Sequence, residues 1–94
     1  MTTSVVNKPD DNRFELQIDG EIAGRIEYLV SDGAIHLVHT EVDKGRREHG
    51  LGGILVEGAL DQIRSDTDYR LVADCPFVAD WLTHNDGYAD LTER

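Results

Sequence analysis

The sequence predicts an α+β domain: an antiparallel meander, then helix, strand and helix, on a mixed sheet. Three observations predict it. Apolar residues alternate with polar ones up to Val42 and recur at helical spacing from Leu51. Two Asp-Gly dipeptides, Asp19-Gly20 and Asp32-Gly33, divide the alternating stretch at hairpin positions. A short strand pattern follows the helical stretch, and a strand reached by a helical crossover favours a parallel partner.

The elements follow in order. Residues 1–12 are polar, with Pro9, Asp10 and Asp11 in succession, and read as a flexible tail; 13–94 then form a single domain. Phe14, Leu16 and Ile18 alternate with Glu15 and Gln17, the pattern of a half-buried strand. Ile22 to Val30 reads as the second strand, with Gly24 a candidate bulge. Ala34 to Val42, rich in β-branched residues, is the third. From Leu51, apolar residues at Leu55, Ala59, Leu60 and Ile63 describe a helix that fades near Ser65. Tyr69 to Cys75 is a strand, Pro76 suits the first position of a helix, and Phe77 to Thr83 continues it. Phe77 and Trp81, four apart, read as core residues of that helix.

Bulk properties exclude several functions. Acidic residues outnumber basic ones 19 to 9, for a net charge of −10, which argues against a nucleic-acid binder. It permits a cationic acceptor, although a solvated acidic surface is the plainer account. Cys75 is the single cysteine, so an intramolecular disulfide is impossible. His36, His39, His49 and His84 fall at no metal-ligand spacing, and no metal is expected. Without an apolar run or signal-peptide pattern, no membrane association is expected and the location expected is cytoplasmic. A chain of 94 residues buries a modest core, so a monomer and a homodimer are both compatible.

The chemistry concentrates between Val42 and Leu55. Gly50, Gly52 and Gly53 open the helix, although glycine costs about 1 kcal/mol relative to alanine within one. Close approach of a ligand to the backbone is a physical reason to tolerate that cost. A helix N-terminus offers unpaired N–H groups and a positive dipole end to phosphate. Arg46, Arg47 and His49 add positive charge in an otherwise acidic chain. A Walker loop is excluded, because Leu51 rather than lysine follows Gly50. The dinucleotide fingerprint fails at Leu55. Glycines needed only for packing are the rival reading.

What remains is Arg47-Glu48-His49-Gly50-Leu51-Gly52, after a strand and opening a helix. It resembles the pyrophosphate loop of GNAT N-acetyltransferases. His39-Thr40-Glu41-Val42, Cys75-Pro76-Phe77-Val78 and Tyr88-Ala89-Asp90-Leu91 look like the corresponding stretches of the very small GNAT-like acetyltransferases of bacteria and plants. The resemblance covers about Phe14 to Leu91 and implies a GNAT-like fold. Glu48 and Gly53 depart from the usual loop pattern. The long N-terminal helices that wall the acceptor site of larger members have no room here.

The resemblance implies acyl-CoA, typically acetyl-CoA, as co-substrate, and an amine acceptor that is a small molecule or a protein. It implies that Arg47, Glu48, His49, Gly50, Leu51, Gly52 and Gly53 hold the cofactor. Backbone N–H groups near Val42 would polarise the thioester, and Asn85 would contribute a cofactor contact. Tyr88 would be a candidate acid. Strand parity puts His39 and Glu41 on one face, with Thr40 and Val42 on the other. His39 and Glu41 are candidate bases or merely solvent-facing residues. Cys75, just before Pro76, sits where a helix N-terminus lowers a thiol's pKa, although Asp74 opposes this. It is a candidate nucleophile or proton donor, or else a buried small hydrophobe. A non-catalytic acyl-CoA-binding sensor is the alternative function.

Overall fold

The structure, a computed structural model, describes residues 2–43 and 50–94. Five strands form one sheet in the order β1-β2-β3-β4-β5. They are β1 Thr3–Lys8, β2 Arg13–Ile18, β3 Glu21–Ser31, β4 Ala34–Val42 and β5 Arg70–Ala73. The helices are α1 Leu51–Asp66 and α2 Pro76–His84, followed by a 3₁₀ segment at Asp86–Glu93.

Both hairpins follow the Asp-Gly chemistry. Asp19 and Gly20, at φ 51° and 85°, close β2 onto β3, and Asp32 and Gly33, at 51° and 76°, close β3 onto β4. Positive φ at both central positions matches the strands' right-handed twist. The bulge expected at Gly24 falls one residue earlier. Leu16 faces Gly24 while Gln17 faces Ile22, so Ala23 is the extra residue. The α1 crossover brings β5 beside β4 in parallel, as its position after a helix predicts.

The expectation of a flexible tail over residues 1–12 is corrected. Thr3–Lys8 pairs antiparallel with β2 along its whole length, making the meander four strands rather than three. The polar composition hid a half-apolar strand whose Val5 packs against α1. A Cβ added at Gly58 would lie 2.4 Å from Val5 Cγ2, so the missing side chain is what admits β1. Gln62 Nε2 donates to the Val5 carbonyl at 2.6 Å, tying the edge strand to the helix.

The core lies between the sheet and α1. Phe14, Leu16, Ile26 and Leu37 from the strands meet Leu55, Val56, Leu60 and Ile63 from the helix. Val78 of α2 and Leu91 join them, both fully buried. The opposite sheet face is charged and largely solvent-exposed: Leu29 is 57% exposed, and Arg25 bridges Glu27 and Glu41. No helix among the described residues is long and apolar enough to cross a membrane.

Candidate functional site

The site is built where β4 and β5 part. The parallel ladder runs only from Ala34 beside Arg70 to Leu37 beside Ala73. One further bond, Cys75 N–H to the Leu37 carbonyl at 2.8 Å, closes the seam. Beyond it β4 continues to Val42 while the chain after β5 turns into α2. A second bulge lies at this point. Glu27 faces His39 and Tyr28 faces Leu37, so Val38 is the extra residue. The bulge shifts the alternation: Leu37, Thr40 and Val42 turn toward the helices, and His39 and Glu41 are exposed on the open face.

On the helix side a groove of about 490 Å³ runs from the parting strands to the start of α1. Thr40, Val42, Asp43, Gly50–Gly53 and Phe77 line it. Gly50, at φ 74°, precedes the helix in the left-handed region, where a side chain would be strained. The first helical bond is Ile54 N–H to the Gly50 carbonyl at 3.1 Å, and the N-cap Gly50 has no side chain to cap this end. The amides of Leu51, Gly52 and Gly53 therefore precede the helical ladder and lie at the groove. This is a fit for a phosphate-bearing cofactor. Gly52 also has a packing reason, since a Cβ there would sit 2.5 Å from Phe77 Cζ. Arg47, Glu48 and His49 lie outside the described residues.

Cys75 caps α2 in an extended conformation, as its place before Pro76 predicts, and is 4% exposed. Its Sγ donates to Thr40 Oγ1 at 3.3 Å. Burial pushes the thiol up. Hydrogen bonding with the Thr40 hydroxyl and with the backbone of Val78, Phe77 and Thr40 outweighs it, leaving the thiol below its ordinary range. Cys75 does not itself line the groove; Thr40 does, and Cys75 stands one hydrogen bond behind it. Thr40 is therefore a candidate site residue, one that strand parity placed on a face without giving it a role. Its partner lies 35 positions away, beyond the reach of a local pattern.

Other expected residues are placed elsewhere. Asn85 stands at the far end of α2, where its Nδ2 donates to the Trp81 carbonyl at 2.8 Å; it caps the helix and does not line the groove. Tyr88 donates to Asp61 Oδ1 at 2.7 Å, and that bond first, with burial next, pushes its hydroxyl up to about 12. Trp81 packs against Tyr88 and the core as expected. Phe77, expected in the core, is instead 45% exposed at the groove wall. It reaches the wall because it lies over Gly52, where no side chain fills the space. Among the described residues, no three histidine, cysteine, aspartate or glutamate side chains are grouped to hold a metal ion.

Residues 13–91 match the GCN5-related N-acetyltransferase family, and the chain belongs to that family. The curled mixed sheet with its flanking helices is the fold this membership entails.

Proposed function

We propose that the protein is an acyl-CoA-dependent N-acyltransferase, most simply an acetyltransferase, acting on an amine. One observation carries this reading. The amides of Leu51, Gly52 and Gly53, which precede the helical ladder, open onto a groove that leads past Val42 and Thr40 to the parting of β4 and β5. Bound acyl-CoA would supply the activated acyl group as a thioester. The amides at Gly50–Gly53 would hold its pyrophosphate against the positive helix end, with Arg47 and His49 contributing charge. Phe77 offers the groove an apolar wall. Backbone N–H groups of β4 near Val42, past the end of the β5 pairing, would orient the acyl oxygen. Thr40 and Cys75 form a hydroxyl–thiol pair that can deliver a proton to the departing sulfur or, with the thiol ionised, accept the acyl group at Sγ. The amine would approach from the open sheet face, because α1 and α2 occupy the other.

The test is intact-protein mass spectrometry after incubation with acetyl-CoA, beside the same run on Cys75→Ala and calorimetry with coenzyme A. An acetyl adduct lost in the variant and released by hydroxylamine establishes a covalent route. Coenzyme A binding without an adduct leaves direct transfer. Absence of both overturns the reading. The exposed sheet face, where Leu29 and Val38 stay 57% and 38% accessible, favours one second reading, a cofactor sensor without an acceptor. A sensor binds coenzyme A and turns over no amine.

A further inference from the structure

The last turn of α1 frames a hollow of its own. The groove lies at the helix's first turn, so the two are separated by 16 residues of helix, a rise of about 24 Å. The hollow is a bowl of about 290 Å³, at the lower end of the range for small-molecule sites. Its floor is apolar and closed: of Phe14, Tyr28, Ile35 and Ile63, none is more than 5% exposed. Its rim is polar, with Asn7 and Asn12 from the β1–β2 connection and Gln62 and Asp66 from α1. Thr67 and Tyr69 carry the wall into a second hollow of about 430 Å³, which Asp66 also lines and Asp68 joins.

The charge of these walls is one-sided. Among the described residues, no lysine, arginine or histidine lines either hollow. The Asp66 carboxylate meets only the Ser65 hydroxyl among them, at 3.1 Å, and Asp68 meets no cation. Arg94 donates to the carbonyls of Thr67 and Tyr69 at 2.7 and 3.2 Å but lines neither hollow. The remaining polar groups offer acceptors. Gln62 spends its amide N–H on the Val5 carbonyl, which leaves its oxygen, and Tyr28 spends its proton on Asn7 Oδ1 at 2.7 Å. Thr67 holds the wall in place, its hydroxyl donating to the Ile63 carbonyl at 2.7 Å and accepting from the Tyr69 N–H at 3.3 Å. Its backbone is extended, at φ −139° and ψ 165°, which sets Asp66 and Asp68 about 6.6 Å apart.

We infer that the joined hollows at the end of α1 are a binding site for a small organic polycation, an alkyl diamine or polyamine, separate from the groove. Asp66 takes one ammonium group, with the Gln62 oxygen as a second acceptor, and Asp68 takes the other. The methylenes between them lie on the apolar floor and along Tyr69, the half-buried ring common to both hollows. The negative end of the α1 dipole adds to the attraction. The inference stands on these walls alone and holds whether or not the groove takes acyl-CoA.

The experiment is a nitrogen-15 NMR titration of the full chain with cadaverine, beside the five-carbon diol and the five-carbon diacid glutarate. These probes share a length and differ in charge, so the comparison needs no variant. The same titration is run on Asp66→Asn, Asp68→Asn and, as a control for diffuse charge, Asp86→Asn. Cadaverine is expected to shift the amides of Asn12, Thr67 and Tyr69 saturably, and the diol and glutarate to leave them in place. Affinity is expected to fall about tenfold in Asp66→Asn and in Asp68→Asn and to hold in Asp86→Asn. The inference is overturned if cadaverine gives no saturable shift, or if the diol moves the same amides as tightly. It is overturned too if Asp86→Asn loses as much as the other two, or if the shifts fall on Thr40 and Gly50–Gly53 instead.

Discussion

Cys75 shows what a single residue's surroundings do to its chemistry. Burial alone would hold the thiol protonated; the hydroxyl of Thr40 and the backbone groups at the start of α2 favour the thiolate and win. Because the folded thiol ionises below its ordinary range, it contributes stability above that ordinary value. This contribution fades as pH falls through the folded value. Thr40→Val removes the side-chain hydrogen-bond partner and raises the thiol again. Alkylation of Cys75 by iodoacetamide at neutral pH should then slow several-fold, with its pH midpoint moved upward. An unchanged midpoint would mean that the backbone groups suffice without the hydroxyl. The cap position of Cys75 was legible from Pro76 beside it. The partner was not, because Thr40 reaches it only after the crossover has laid the end of β5 beside β4.

At the scale of elements, the contact between β1 and α1 decides whether the first residues belong to the fold. Gly58 leaves the notch that Val5 fills, and Gln62 holds the strand's carbonyl. Gly58→Ala forces its Cβ into the Val5 side chain and should cost about 1–3 kcal/mol, the range for overpacking a filled site. Hydrogen exchange should show the amides of Thr3–Lys8 losing protection while those of β3 and β4 keep theirs. Adding Val5→Ala to the same chain should restore most of the loss, because it clears the space the new methyl needs. A double variant no more stable than Gly58→Ala would place the strain in α1 itself.

At the scale of the molecule, one core carries both the sheet and the groove. Leu55 is fully buried and its Cδ2 lies 3.4 Å from the position of a Cβ on Gly24, between the helix and the β3 bulge. Leu55→Ala should cost about 2–5 kcal/mol, a large part of the stability of a domain this size. On the acyl-CoA reading, thermal unfolding with coenzyme A at a hundredfold excess over its dissociation constant should return about 2.7 kcal/mol, as for any ligand that binds only a folded chain. Destabilisation without that recovery would show that the groove closes on a cavity opened beneath it. The rest of α1 is anchored from the C-terminal side. Arg94 donates to the carbonyls of Ile63 and Arg64 in the last turn of α1 and of Thr67 and Tyr69 just past it, tying the helix end to the chain that follows.

Local periodicity and turn chemistry specify a good part of this fold. The two Asp-Gly hairpins, the helix from Leu51, the parallel strand after it and the cap at Cys75 each rest on neighbours within a few positions. The glycine-rich opening of α1 was legible for the same reason: it is a run of residues whose cost in a helix demands a cause. Tertiary structure alone decided the rest. A polar-looking segment became β1 because Gly58, some fifty positions later, leaves it room. Phe77 moved from an expected core position to the groove wall because Gly52 has no side chain beneath it. The bulge at Val38 set which of Thr40 and His39 faces the groove, and the β4–β5 seam brought His36 to Asp74 and Thr40 to Cys75. These pairings join residues more than thirty positions apart, and their physical cause is the packing of the crossover, which no local pattern records.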